Sequence, residues 1–245
     1  LGERARSRLF AVPRVTYTVD QTVPGFLGPR SGARWAASLS GSPGPDAAFA
    51  TVLADGRRYW SVGPGYAVAL RGSAGLSLGP NPQRFYAAGV QNWVQTEFDS
   101  LPVEGPDDFV FATPVLPVRG FGFNEAAGDR FALVNAEARV PLIAALLPGP
   151  IPLAPLYNIQ TVAFVDAGVI ANGGLDVWKT DLVDADGDPG TPDVEVRSFD
   201  DVLLGAGVGL RTLVLGYPVR VDWGWPFEGT EFGERRLYVS VGLDF

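Results

Sequence analysis

Acidic side chains are the groups in this chain whose spacing most resembles a site. Asp184-Ala185-Asp186-Gly187-Asp188, with Asp193 and Glu195 beyond, places oxygen donors at the first, third, fifth and twelfth positions of a calcium-binding loop. Pro189 stands where such a loop carries glycine, and no flanking helices are evident, so a solvated acidic loop is the competing reading. The carboxylate pairs Asp107-Asp108 and Asp200-Asp201 fall in loops, where solvated charge is the expectation. Cysteine, histidine and methionine are all absent. That removes thiol nucleophiles, imidazole bases, disulfides and any zinc, haem or iron–sulfur site built on these side chains. No G-x-S-x-G elbow occurs, and without histidine or cysteine the usual nucleophile–base pairs cannot be assembled. The chain is expected to be a non-enzyme, with calcium at Asp184, Asp186, Asp188 and Glu195 the one cofactor considered.

The bulk composition narrows the class further. Net charge is −8, from 19 basic and 27 acidic residues, and Lys179 is the sole lysine, so no basic patch points to nucleic acid. Hydrophobic residues make up 47% and charged residues 19%, too apolar for a disordered chain. Thirty-one glycines and 21 prolines would break or weaken helices throughout, and they suit a sheet protein with many turns. The longest apolar stretch, Pro141 to Leu156, contains five prolines and is rejected as a membrane-spanning helix. The start at Leu1-Gly2-Glu3, with neither initiator methionine nor signal segment, reads as a fragment or processed product.

Alternation is the dominant pattern in the elements that must position any site. In the last strand Leu237, Val239, Val241, Leu243 and Phe245 share one face, and Arg236, Tyr238, Ser240, Gly242 and Asp244 the other. Upstream, Tyr217, Val219, Val221, Trp223 and Trp225 oppose Arg220, Asp222 and Gly224. Over 202–214, Leu204, Val208, Leu210 and Val214 oppose Gly205, Gly207, Gly209 and Arg211. Over 66–78, Tyr66, Val68, Leu70, Leu76 and Leu78 oppose Arg71, Ser73, Gly75 and Ser77; over 33–41, Trp35 and Leu39 oppose Arg34, Ser38 and Ser40. Further strands at 8–20, 48–61, 130–140 and 159–170 bring the total to about nine, with little helix.

A soluble sandwich or barrel and a transmembrane barrel both produce this pattern. Strands of about nine to eleven residues suit a tilted bilayer crossing. Aromatics at strand ends (Tyr59, Trp60, Tyr66, Trp223, Trp225, Phe227, Phe245) resemble an interfacial girdle. Short turns at 62–65 and 215–216 contrast with long loops at 79–129 and 171–201, which is how outer-membrane barrels are built. The pattern therefore favours an all-β, antiparallel transmembrane β-barrel. A strand count of about nine is odd for a closed bacterial barrel, which again suggests a larger one.

Several motifs occur in a fixed order: Gln83-Arg84-Phe85-Tyr86-Ala87-Ala88-Gly89, Val118-Arg119-Gly120-Phe121, Asn135-Ala136-Glu137-Ala138-Arg139-Val140-Pro141 and Phe164-Val165-Asp166-Ala167-Gly168. Gly205-Ala206-Gly207-Val208-Gly209-Leu210-Arg211, Pro218-Val219-Arg220-Val221-Asp222 and Val241-Gly242-Leu243-Asp244-Phe245 follow. Over nearly the whole chain this set resembles the C-terminal barrel of the BamA/TamA-type surface-antigen family of outer-membrane assembly and translocation barrels. The resemblance implies a sixteen-stranded barrel whose V-R-G-F loop follows the eleventh strand, with about seven strands upstream of this chain. Residues 1–245 would then be the C-terminal part of one barrel domain, with the long loop 79–129 carrying the motif and the acidic loop 171–201 outside the cell.

By alternation Glu137 shares a face with Asn135 and Arg139, and Asp166 with Gln160 and Phe164, so both acids should point into the lumen. The resemblance implies that the loop of Val118, Arg119, Gly120 and Phe121 tucks back into the barrel and sets Arg119 against these acids. Two carboxylates around one guanidinium would brace the loop, Gly120 would permit close approach, and Phe121 would pack on the inner wall. The alternative is a surface loop with a solvated arginine. Phe245 resembles the terminal aromatic of an insertion signal; a strand that merely ends in a hydrophobic residue is the plain alternative. The implied partners are outer-membrane lipid, unfolded outer-membrane proteins or a translocated protein, and periplasmic or lipoprotein components, acting at a weak seam between first and last strands. A passive anchor or pore for an N-terminal enzyme or propeller stays open beside it.

Overall fold

The computed structural model describes residues 11–25, 27–44, 47–94, 96, 113–114, 117–142, 159–183 and 194–242. Its strands are β1 (Arg14–Asp20), β2 (Val23–Gly25), β3 (Gly28–Gly44), β4 (Ala47–Gly63), β5 (Tyr66–Leu78), β6 (Phe85–Ala87), β7 (Thr113–Pro114) and β8 (Ala126–Gly128). They continue as β9 (Arg130–Pro141), β10 (Gln160–Ala171), β11 (Trp178–Val183), β12 (Val194–Phe199), β13 (Val202–Val214), β14 (Tyr217–Pro226) and β15 (Arg236–Val241). The main sheet runs β1-β3-β4-β5-β9-β10-β13-β14-β15, with β2 added to β3. Every pairing in it is antiparallel. Among the described residues the sheet has edges at β1 and β15 and does not close between them.

Burial along these strands is inverted relative to a water-soluble sheet. On β9, Val134 is 51% exposed while its neighbours Leu133 and Asn135 are buried, and Glu137 and Arg139 follow Asn135 on the buried face. Val52, Leu70, Leu76, Val165, Val208 and Leu237 are likewise exposed, whereas Ser40, Thr51, Ser77, Asp166, Arg211, Arg220 and Asp222 are buried. An apolar outer face of this extent needs an apolar solvent, and a polar inner face suits a lumen; together they are the signature of a membrane barrel. No described helix is long and apolar enough to cross a membrane.

The sequence-read strands at 66–78 and 202–214 coincide with β5 and β13, and the others differ at their ends. Three departures stand out. Tyr59 does not share the interfacial position of Trp60, because adjacent strand residues face opposite ways: Tyr59 is buried inside, with Arg139 over its ring at 5.7 Å, and Trp60 is exposed outside. The loop 79–129 has structure of its own, since β6 sits between β7 and β8 in a small sheet with Phe85, Tyr86 and Ala87 fully buried. The loop 171–201 contains the β11–β12 hairpin, in which Trp178 and Phe199 lie 4.6 Å apart.

The inner apolar core lies where the loop meets the wall. Phe85, Ala87, Ala88 and Val118 pack against Phe131 and Leu133 of β9, Ile170 of β10 and Leu203 of β13. Chain connectivity explains the placement. β5 and β9 are hydrogen-bonded neighbours, so the segment between them leaves and re-enters at one end of the sheet and can fold inward without disturbing the register.

Candidate functional site

The site forms where the tip of loop 79–129 touches β9, β10, β13, β14 and β15. Asn135, Glu137 and Arg139 project inward from β9 and Asp166 from β10, because each lies two residues from the next on the buried face. Arg119 descends between them and is 2% exposed. Its Nε donates to Asp166 Oδ2 at 2.7 Å and its Nη2 to Asp166 Oδ1 at 2.8 Å, a bidentate pair. Its backbone N–H donates to Asp166 Oδ2 at 3.0 Å, and Nη1 donates to Glu137 Oε1 at 2.8 Å. The guanidinium also lies over the Phe164 ring, 3.5 Å from the centroid.

Around this contact the charges are matched. Glu137 accepts from Arg119, from Arg211 Nη2 at 2.6 Å and from Arg139 Nη2 at 3.0 Å. Asn135 Nδ2 bridges Asp166 Oδ1 at 2.9 Å and the Pro117 carbonyl at 2.8 Å, so β9 also holds the residue that enters the motif. Asp222 stands 3.8 Å from Arg119 Nη1. Burial disfavours the charge on Arg119, but Asp166, Glu137 and Asp222 more than offset it, and its proton is held more firmly than that of a free arginine. Severing one partner of such a buried pair typically costs about 3–5 kcal/mol, since the other charge is left without compensation.

Glycine makes room for the loop backbone. Gly120 has φ +114°, a region that side-chain-bearing residues rarely adopt, and a Cβ there would lie 2.7 Å from the Pro226 nitrogen. On the wall, a Cβ at Gly205 would collide with the Arg119 carbonyl oxygen, and one at Gly224 would lie 2.7 Å from the Gly120 nitrogen. The loop therefore rests on bare backbone of β13 and β14. Tyr238 of β15 fixes its tip: the hydroxyl accepts the Gly120 N–H at 2.7 Å and donates to the Phe121 carbonyl at 2.8 Å. Phe121 packs, partly buried, against the inner core.

The structure thus brings Val118, Arg119, Gly120, Phe121, Glu137 and Asp166 together. Arg139, Arg211, Asp222, Phe164 and Tyr238 join them, although the sequence reading assigned them no role in the contact. Each lay on the polar or inward stripe of its strand, and an aromatic hydroxyl in such a stripe, as at Tyr238, was the available signal. Asp184, Asp186, Asp188 and Phe245 lie outside the described residues, as does the side chain of Glu195. Among the described residues no cluster of three or more acidic side chains is arranged to hold a metal ion.

The profile of the Omp85 superfamily domain matches residues 24–245. The chain belongs to the Omp85 superfamily. No curated protein matches it. Its fold is similar to that in a crystal structure of BamA from Haemophilus ducreyi lacking POTRA domains 1–3, with a TM-score of 0.57 at 16% identity. That likeness covers 94% of this chain and 42% of the BamA chain, so the chain spans about two fifths of the length of the protein it matches. As a portion of an Omp85 barrel, the sheet faces lipid with its exposed apolar side and encloses the loop with its polar side.

Proposed function

We propose that this chain is the C-terminal part of an outer-membrane barrel that assists insertion of other outer-membrane proteins or passes a protein substrate, by mechanical rather than catalytic means. The observation that carries the reading is the buried Arg119 clamp, which holds the Val118–Phe121 tip against five strands in a member of the Omp85 superfamily. A rigid internal brace keeps the wall in shape while a sheet edge is free to engage an extended segment, since an edge offers unpaired backbone groups as a template. Unfolded outer-membrane proteins or a translocated protein are the clients in this reading, with periplasmic or lipoprotein components delivering them.

The test is a comparison of Arg119→Ala with Arg84→Ala in the full-length protein in its own cell. Arg119→Ala is expected to lower the level of folded outer-membrane proteins and admit bulky antibiotics, and Arg84→Ala to do so far less. Equal and negligible effects would leave the barrel as a passive anchor or pore. The acidic loop is tested separately. If Asp184, Asp186, Asp188 and Glu195 hold calcium, a chelator lowers the melting temperature; an unchanged value makes the loop solvated acid.

A further inference from the structure

One residue breaks the apolar pattern of the outer wall. The outward stripe of β4 runs through Val52, Ala54, Gly56, Arg58 and Trp60, and Arg58 is the charge in it. Its cross-strand neighbours are Ala33 of β3 and Leu70 of β5. The inward arginines nearby each stand beside an aspartate: Arg34 lies 3.7 Å from Asp20, and Arg57 and Arg71 lie 2.7 and 2.6 Å from Asp55. Arg58 pairs with no acidic side chain among the described residues, and its guanidinium lies 5.8 Å from the centroid of the Trp60 ring. An arginine on a lipid-facing wall persists where its head reaches water or a phosphate at the interface. Trp60 is on the side of the turn through Pro64 and Gly65 that joins β4 to β5, the short kind of turn that outer-membrane barrels keep in the periplasm. Arg58 therefore reaches toward the periplasmic headgroups.

Toward the middle of the wall Arg58 borders a notch of about 270 Å³. Its floor is bare backbone, where Gly56 and Gly72 face each other across β4 and β5. A Cβ at Gly72 would meet nothing within 4 Å, and one at Gly56 would meet only the Gly72 carbonyl oxygen, at 3.9 Å. Trp35 and Leu70 form the sides, and Trp35 is held by the Tyr17 ring at 5.3 Å between centroids. Beyond the glycines the next outward pair is Ala54 and Ala74, so the low floor continues toward mid-membrane. The notch thus has a cation at its periplasmic end and an apolar trough above it, the polarity of a phospholipid standing in that leaflet. We propose that Arg58 and the notch over Gly56 and Gly72 bind an anionic phospholipid of the periplasmic leaflet. The guanidinium donates to the headgroup phosphate, and one acyl chain lies in the trough between Trp35 and Leu70, continuous with the lipid that covers the rest of the wall. The described neighbours of Arg58 include no acid that could receive an ammonium group. A headgroup such as phosphatidylglycerol therefore matches the site, and a zwitterionic one brings a cation that nothing there balances. The site lies on the opposite face of the wall from the Arg119 brace, and the proposal is independent of which client the barrel serves.

The test uses the full-length protein in phosphatidylcholine liposomes that carry a trace of phosphatidylglycerol with a photoactivatable acyl chain. Illumination is expected to label β4 and β5 around Gly56 and Gly72, and a phosphatidylcholine with the same chain, the control for general lipid contact, is expected to label them far less. Arg58→Gln should lower the phosphatidylglycerol labelling there about tenfold, the loss of one charge-assisted contact, and Arg58→Lys should retain part of it. Gly72→Leu fills the notch and leaves the arginine in place, and it should lower the labelling as well. Labelling at Leu237, on the lipid-facing side of β15, should stay the same in all three variants, which separates a local site from a changed barrel. The heat-dependent gel mobility of a folded barrel checks that each variant has folded. Labelling at Gly56 and Gly72 that neither Arg58→Gln nor Gly72→Leu reduces overturns the proposal, as does equal labelling by the two lipids.

Discussion

The two walls of the sheet carry the same outward alternation and opposite interiors. On the wall of β9, β10, β13 and β14, the inward charges are sealed beneath the loop: Glu137, Arg139, Asp166, Arg211 and Asp222 are each at most 3% exposed, as is Arg119 of the loop. On the wall of β3 to β5, Asp55 pairs with Arg57 at 2.7 Å and with Arg71 at 2.6 Å, with side chains 11–25% exposed. Asp55 and Arg71 border a cavity of about 180 Å³, lined also by Thr16, Ser38 and Leu53. The outer pattern is set by lipid and is the same on both walls, while the inner pattern decides where the loop is held. Ion pairs of equal length are worth different amounts on the two walls, since solvent screens one set and burial leaves the other dependent on its partner.

The largest expected break of this contrast is Arg119→Ala, which leaves Asp166 without its arginine and takes from Glu137 one of its three. It should cost about 3–5 kcal/mol in heat or urea unfolding of the detergent-solubilised barrel, whereas Arg71→Ala on the open wall should cost no more than about 1 kcal/mol. Next is Gly205→Ala, whose methyl group would push against the Arg119 carbonyl; about 1–3 kcal/mol is expected in the same assay. Its counterpart Gly72→Ala, with nothing within 4 Å of the added Cβ, should stay within about 0.5 kcal/mol. Tyr238→Phe follows, with a loss of about 1–3 kcal/mol because the Gly120 N–H and Phe121 carbonyl lose their buried partner. It should also raise protease sensitivity in the segment after Val118. The smallest effect is expected for Val134→Leu on the outer face, within about 0.5 kcal/mol, as a side chain immersed in lipid accepts a change of apolar shape.

The lipid-facing half of the fold was legible because a period of two needs no tertiary information: Leu70, Leu76, Val208 and Leu237 could be assigned to a face from spacing alone. The loop interior was harder. Phe85-Tyr86-Ala87 is a short apolar run with no alternation, and such a run marks burial without saying against what. Tyr59 misled for the opposite reason, since an aromatic beside Trp60 looks interfacial until the strand's phase puts it inside. At the site, strand phase placed Glu137 and Asp166 in the lumen, but phase cannot reveal which loop residue reaches them; that came from the resemblance. Arg211 and Asp222 stand on strands far along the chain from Arg119, and only the sheet order brings them to it.

The central claim is that Arg119 and Asp166 act as one buried unit that fastens the loop to the wall. A double-mutant cycle on Arg119→Ala and Asp166→Ala, run beside one on Arg71→Ala and Asp55→Ala, measures this directly. The account predicts a coupling of about 2–3 kcal/mol for the first pair and below about 1 kcal/mol for the second. Additive effects at Arg119 and Asp166, or equal couplings on both walls, would contradict it.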